Sequence, residues 1–180
     1  MRVITGSARG RKLKEPTGKD IRPTTSMVKE AIFNIVQFDI PGREVLDLFA
    51  GTGQMGIEAL SRGALSCDFV DASKLAVGLV KDNLAHCDLP GGRVFLADAA
   101  QFLAPGKQYD LIFVDPPYDD KRIDDIIAKI AQFDILRVNG IMMCETKLDK
   151  TMPDLPHPYE KSREYRYGKV KLTRYTRRED

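Results

Sequence analysis

The chain has 180 residues, which is long enough for one domain with a substantial core, and its net charge is +2. Its beginning lacks the apolar core of a signal peptide, and no segment is long and apolar enough to cross a bilayer. The cysteines are odd in number and far apart, and the two histidines are isolated. We therefore expect a cytoplasmic globular protein with reduced cysteines and no metal site.

Basic residues are concentrated at the two ends of the chain. Residues 1–30 contain 8 Lys and Arg against 3 Asp and Glu, and residues 157–180 contain 8 against 4. The segment between them is acidic, with 12 against 19. This distribution indicates a polyanion bound at the periphery, although charged ends that only keep the protein in solution would give the same pattern.

The N-terminal segment predicts a small basic β-hairpin. Two short strand-like pieces, residues 2–5 and 11–14, flank a turn that contains two glycines. The hairpin would present Arg9, Arg11 and Lys12, whose cationic groups suit phosphates. We place a boundary after residue 22, with a hairpin and loop at 1–22 and the main domain at 23–180. A helix follows at residues 27–38.

A strand, a glycine turn and a helix follow at residues 45–62. Residues 45–49 are mostly apolar, and Gly51 and Gly53 free the backbone for a sharp turn beside a ligand. The spacing fits the dinucleotide fingerprint Gly-x-Gly-x-x-Gly. Asp47, inside the strand, argues against a pyrophosphate there, because the helix N-terminus already serves an anion. A carboxylate at this position favours a cationic ligand.

The next two strands also end in carboxylates. The strand at residues 66–71 ends in Asp71, a position that accepts hydrogen bonds from ribose hydroxyls in nucleotide sites. A helix is predicted at 74–85 and a third strand at 94–97, followed by Asp98. Asp98 can cap a short helix that begins at Ala99.

The fourth strand, residues 109–114, delivers the most specific motif, Asp115-Pro116-Pro117-Tyr118. An aryl amine is a poor nucleophile because its lone pair is delocalised into the ring. Asp115 and the Pro116 carbonyl can accept its two N–H bonds and so aim the lone pair, while Tyr118 offers a face for the base to stack on. Such a site would act by alignment and charge placement rather than by a strong base.

The remaining residues complete a sheet. A helix is predicted at 123–133, a fifth strand at 140–145, a proline-rich loop at 151–158 and a closing hairpin at 163–167 and 170–175. Tyr and Arg alternate in that hairpin, which is more typical of an edge strand than of an RNA surface. The expected architecture is a seven-stranded, mostly parallel α/β sheet with helices on both faces.

Five stretches resemble known families. The glycine run resembles the first motif of S-adenosylmethionine (SAM)-dependent methyltransferases, and residues 115–118 resemble the (Asp/Asn)-Pro-Pro-(Tyr/Phe) motif of amine-directed methyltransferases. Gly10-Arg11-Lys12-Leu13, Arg22-Pro23-Thr24-Thr25 and Glu30-Ala31-Ile32-Phe33-Asn34 resemble the start of the RsmD family, bacterial 16S ribosomal RNA guanine-N2 methyltransferases.

The resemblance implies a Rossmann-like SAM-dependent methyltransferase fold with an N-terminal hairpin extension. It implies methylation of guanine 966 of 16S ribosomal RNA with SAM as the methyl donor. We expect the RNA to be bound within an assembling small subunit, and the protein to be a monomer. Asp115, Pro116 and Tyr118 would be catalytic. The implied cofactor contacts are Asp47, Ala50, Gly51, Gly53, Asp71, Asp98, Ala99, Arg22 and Thr24. Asp71 departs from the Glu that the family favours, which would lengthen the ribose contact.

Three other functions would explain part of the same sequence. A DNA adenine-N6 methyltransferase shares the logic of Asp115 to Tyr118, but no separate segment is large enough for a sequence-reading domain. A nicotinamide oxidoreductase would use the glycines and leave Asp47 unexplained. A non-catalytic RNA-binding module would explain only the basic ends.

Overall fold

The computed structural model describes residues 1–16, 26–117 and 120–179. Helices and strands alternate through most of this part of the chain. In chain order the elements are α1 (Ser26–Val36), β1 (Glu44–Asp47), α2 (Gln54–Ser61), β2 (Ser66–Asp71), α3 (Lys74–Cys87), β3 (Gly92–Leu96), α4 (Ala99–Phe102), β4 (Tyr109–Val114), α5 (Ile123–Gln132), β5 (Leu136–Lys147), β6 (Tyr159–Tyr167) and β7 (Val170–Arg177).

The seven strands form one sheet in the order β3-β2-β1-β4-β5-β7-β6. The pairs from β3 to β5 are parallel, and β7 lies antiparallel between β5 and β6. The chain builds outward from β1 in one direction to β3, then returns to β4 on the other side of β1. The carboxyl ends of β1 and β4 therefore border the crevice where such sheets bind ligands. The predicted seven-stranded, mostly parallel α/β sheet is confirmed.

Hydrophobic side chains fill both faces of the sheet. On one face α1, α2 and α3 pack against the strands, with the rings of Phe33 and Phe113 5.7 Å apart between centroids. On the other face α4 and α5 cover the strands, and Ile127 and Ile130 are completely buried there. The free thiols Cys67, Cys87 and Cys144 are buried, as expected of small apolar side chains.

The first 16 residues pack against the main core. Val3, Ala8 and Leu13 are buried with α1 and α2, although Arg2 and Lys12 form a single antiparallel bridge rather than regular strands. The N-terminal hairpin therefore stays a prediction. So does the boundary after residue 22, which lies outside the described residues.

A buried ion pair fastens this segment to the helices. The carboxylate of Glu58 in α2 accepts hydrogen bonds from the Ile4 and Thr5 N–H groups at 2.8 and 2.9 Å. The same carboxylate lies 3.0 Å from the ammonium of Lys29 in α1 and 2.9 Å from Nε of Arg62. Charged groups this deeply buried are held only when such partners are present.

β5 extends further than its sequence pattern predicts, from Leu136 to Lys147 rather than over residues 140–145. Its pairing with β4 is irregular: Leu136 faces Tyr109, and the regular register resumes only where Ile141 faces Leu111. The polar residues in this bulge hide the strand's beginning from a search for apolar runs. No helix among the described residues is long and apolar enough to span a membrane.

Candidate active site

The candidate site lies where β1 and β4 end side by side. The Leu48 N–H donates to the Phe113 carbonyl at 3.1 Å, which ties the two strand ends together. After β1 the chain turns through Gly51 (φ 55°) and Gly53 (φ 80°), both in the left-handed region that glycine adopts readily. This turn leads directly into α2, as the sequence predicts.

Asp47 is the buried acid of the site, with 2% of its surface exposed. Its carboxylate accepts a hydrogen bond from the Gly56 N–H at 3.0 Å. Burial and, to a smaller extent, the charges of Asp115 and Asp71 raise the pKa of Asp47 to about 7, against the opposing effect of the hydrogen bond from the Gly56 N–H. The fold thus brings three predicted acids into electrostatic contact, and a nearby cation would stabilise their ionised forms.

Asp71 closes the glycine turn against the end of β2. One carboxylate oxygen accepts the Gly51 N–H at 2.9 Å, and the other accepts the Ser73 N–H at 2.8 Å. The side chain remains partly exposed at the edge of the sheet. Its position at a strand end fits contact with a ligand hydroxyl, since each oxygen can accept a second hydrogen bond.

Asp98 caps α4, as predicted. One oxygen accepts the Ala100 N–H at 2.9 Å, and the other lies 2.8 Å from a guanidinium nitrogen of Arg122. Two further Arg122 nitrogens donate to Asp120 at 3.0 and 2.9 Å. These bonds hold the pKa of both carboxyl groups below the ordinary range. Arg122 therefore joins the end of β3 to the loop that follows Pro117.

Other predicted cofactor contacts have different surroundings. The side chains of Ala50 and Ala99 are buried in the core, so only their backbone atoms can face a ligand. Arg22 and Thr24 lie outside the described residues, as does the predicted stacking residue Tyr118. Their roles stay predictions.

A cavity of 310 Å³ opens beside Pro116 and Pro117. Ile123 forms part of its wall, and the end of β5 contributes the buried residues Glu145 and Thr146. Asp115 is partly exposed at the neighbouring strand end. Cavities near this size accommodate small ligands, and this one lies next to the predicted acceptor motif.

Sequence reasoning missed two residues near the site. Arg122 precedes α5 outside any recognisable motif, and its role depends on the approach of β3, which no local pattern reveals. Thr146 lies beyond the predicted end of β5. If the predicted strand were continued by two residues, from Glu145 to Lys147, Thr146 would lie at its carboxyl end, beside the other site residues.

The third glycine of the fingerprint has a packing role. A Cβ atom at Gly56 would lie 2.3 Å from the Phe69 ring and 2.6 Å from the Cys67 sulfur. Real Cβ atoms do not approach other atoms so closely, so α2 can lie on β2 only without a side chain there.

The predicted phosphate contacts, Arg9, Arg11 and Lys12, are exposed on the N-terminal segment. The Arg11 guanidinium also donates to the His86 carbonyl near the end of α3, so this residue has a structural partner. Within the described ranges, no cluster of His, Cys, Asp and Glu could hold a metal ion.

The family described as Conserved hypothetical protein 95 matches residues 1–176 of the chain. "Ribosomal RNA small subunit methyltransferase D" from Escherichia coli K12 is 32% identical over 178 residues, which cover 98% of this chain and 90% of that protein. "Putative rRNA methyltransferase YlbH" from Bacillus subtilis is 37% identical over 99% of this chain and its own full length. This chain belongs to the RsmD family.

Solved structures agree with membership of the RsmD family. "Putative methyltransferase yhhF from Escherichia coli" superposes with a TM-score of 0.90 at 31% identity, covering 99% of this chain and 98% of that one. "SMU.776, a putative methyltransferase complexed with SAH" has a TM-score of 0.65 at 18% identity over 82% of this chain and 48% of its own. This chain thus shares its fold with both structures.

Proposed function

We propose that this protein transfers a methyl group from SAM to the exocyclic N2 of guanine 966 in 16S ribosomal RNA. The observation that carries the proposal is the meeting of Asp47, Asp71 and the Asp115-Pro116 turn at the switch point of the sheet. Asp47 suits a positively charged ligand, Asp71 suits ribose hydroxyls, and Asp115 with Pro116 suits an amine. The RsmD names of the relatives support ribosomal RNA as the substrate class.

The residues around the glycine turn fit SAM. Ionised Asp47 gains stability from a cation, and the two oxygens of Asp71 retain acceptor capacity at the strand end. Asp98 and the backbone at Ala50 and Ala99 would face the remaining part of the nucleoside. Bound SAM supplies an electrophilic methyl group, which needs no metal and no strong base.

The chain's contribution to the reaction is alignment. The Asp115 carboxylate and the Pro116 carbonyl accept the two N–H bonds of the amine and turn its lone pair toward the methyl group. Pro116 fixes the backbone that carries this carbonyl, because the proline ring restricts φ. The carboxylate also stabilises the positive charge that develops on the nitrogen during transfer.

The substrate guanine must be unpaired, because N2 of a paired guanine is hydrogen-bonded to cytosine. The described residues form a domain around one sheet, and a guanine in a loop shaped by RNA and ribosomal proteins can reach such a site without the melting of a helix. A partly assembled small-subunit particle should therefore be methylated faster than protein-free 16S RNA. In this proposal the protein acts in the cytoplasm as a monomer.

The test is transfer of labelled methyl from SAM to particles and to 16S RNA from cells that lack the protein, followed by nucleoside mass spectrometry. N2-methylguanine is expected, with faster transfer to particles; N6-methyladenine would refute the guanine assignment. Asp115→Ala should abolish turnover and spare SAM binding. Asp71→Ala should weaken SAM binding by roughly 1.5–3 kcal/mol in calorimetry.

A further inference from the structure

The cavity beside Pro116 contains a buried hydroxyl group without a hydrogen-bond partner. Thr146 lines this cavity and is 6% exposed, and among the described residues its Oγ1 has no partner. An unsatisfied buried polar group is destabilising, so native structures seldom keep one without a reason. A ligand in the cavity would supply the missing partner.

The two kinds of wall in this cavity match a purine base. Pro116, Pro117 and Ile123 give an apolar surface for a flat ring, whereas Thr146 gives a polar group at the end of β5. Lysines at the rim (Lys121, Lys147 and Lys150) suit the phosphates on either side of an inserted nucleotide. A single splayed nucleotide is therefore a better occupant than a paired helix.

We infer that Thr146 selects guanine by donating its hydroxyl hydrogen to O6 of the acceptor base. This inference rests on the proposed function and names the atom by which the base is recognised. The hydroxyl can donate to a carbonyl oxygen. Adenine has an amine in place of O6, so it offers no acceptor for this hydrogen.

The decisive probe is RNA in which 2-aminopurine replaces the target guanine, because 2-aminopurine keeps the N2 amine and lacks O6. Single-turnover methyl transfer is measured for wild type, Thr146→Val and Thr146→Ser on both RNAs. Thr146→Val should slow transfer to guanine about 3- to 10-fold and leave the affinity for SAM unchanged. Thr146→Ser, which keeps the hydroxyl, should restore most of the rate.

On 2-aminopurine RNA, wild type and Thr146→Val should react at similar rates, because the atom that Thr146 contacts is already missing. Thr151→Val, at an exposed threonine outside the cavity, is the matched control and should behave as wild type on both RNAs. Normal transfer to guanine by Thr146→Val, or losses that multiply when variant and base analogue are combined, would overturn the inference. A wild-type protein that methylates no guanine would refute the proposed function itself.

Discussion

Asp47 connects the stability of the fold to pH, because its carboxyl group is buried and its pKa is raised to about 7. In the unfolded chain an Asp titrates near ~3.9. Between these values the folded chain holds a proton that the unfolded chain has lost. Raising the pH through this window therefore removes stability.

Asp47→Asn should raise the free energy of unfolding above pH 7 and have little effect near pH 4. The upper limit of the gain is roughly 4 kcal/mol at pH 8 without SAM, because the amide keeps an acceptor for the Gly56 N–H and carries no charge. Urea unfolding of both proteins between pH 4 and 8 measures the difference. A difference that does not change with pH would show that Asp47 is ionised throughout.

Glu58 should be far more important for stability than an exposed acid, because its carboxylate is completely buried and joins the N-terminal segment to Lys29. Glu58→Gln should lower the free energy of unfolding by about 3–5 kcal/mol, since it leaves buried Lys29 uncompensated. Asp82→Asn, which breaks an exposed pair with Lys14, should lower it by less than about 1 kcal/mol. Equal losses in urea unfolding would contradict this account.

At the scale of elements, Arg122 ties the residues just before α5 to the end of β3 by its bonds to Asp98 and Asp120. Arg122→Gln should reduce kcat for methyl transfer about 3- to 10-fold, because the chain next to the acceptor motif would lose this attachment. Arg43→Gln is the matched control: Arg43 is similarly exposed and pairs with Asp110 at the amino ends of the strands. Kinetics in which both variants keep the wild-type kcat would show that the attachment is dispensable.

How well elements could be predicted depends on whether their sequence is locally regular. β2 (Ser66–Asp71) and β4 (Tyr109–Val114) have the predicted bounds, because each is a short strand-forming segment between clear turn or loop residues. β5 was predicted too short, since its first half includes a bulge with polar residues. The ends of the predicted helices differ from the structure by at most two residues, as fraying termini do.

The residues of the candidate site also fall into those that the sequence predicts and those that it does not. Asp47, Asp71 and Asp115 could be predicted because each ends or nearly ends a strand, and parallel strands bring their carboxyl ends to one edge. Arg122 and Thr146 could not, because their roles depend on contacts between segments far apart in the chain. Sequence patterns describe periodicity along an element, whereas these contacts depend on register between elements.

At the scale of the whole molecule, the exposed basic groups of the N-terminal segment should bind RNA phosphates without reading sequence. The affinity for RNA should fall with salt, with a log–log slope of about 0.7–0.9 per phosphate neutralised. Replacing Arg9, Arg11 and Lys12 with Ala should flatten this slope and leave SAM binding intact. Filter binding over a range of salt concentrations measures it.

The control for that measurement is the C-terminal hairpin, which offers an equal number of exposed cations in Arg163, Arg166 and Lys169. Replacing these three with Ala should leave the slope near that of wild type, since their alternation with tyrosines is that of an edge strand. A slope that changes only in the hairpin variant would assign the RNA contact to that surface instead.

Gly56 has a consequence for how ancestry is recognised in such chains. Because a methyl group there would lie too close to Phe69 and Cys67, the glycine allows the helix to pack closely on the sheet. A descendant that had lost its ligand would still need it for this packing. The glycine spacing therefore indicates the fold, whereas Asp47 and Asp115 indicate the chemistry, and the glycine could persist after the chemistry is lost.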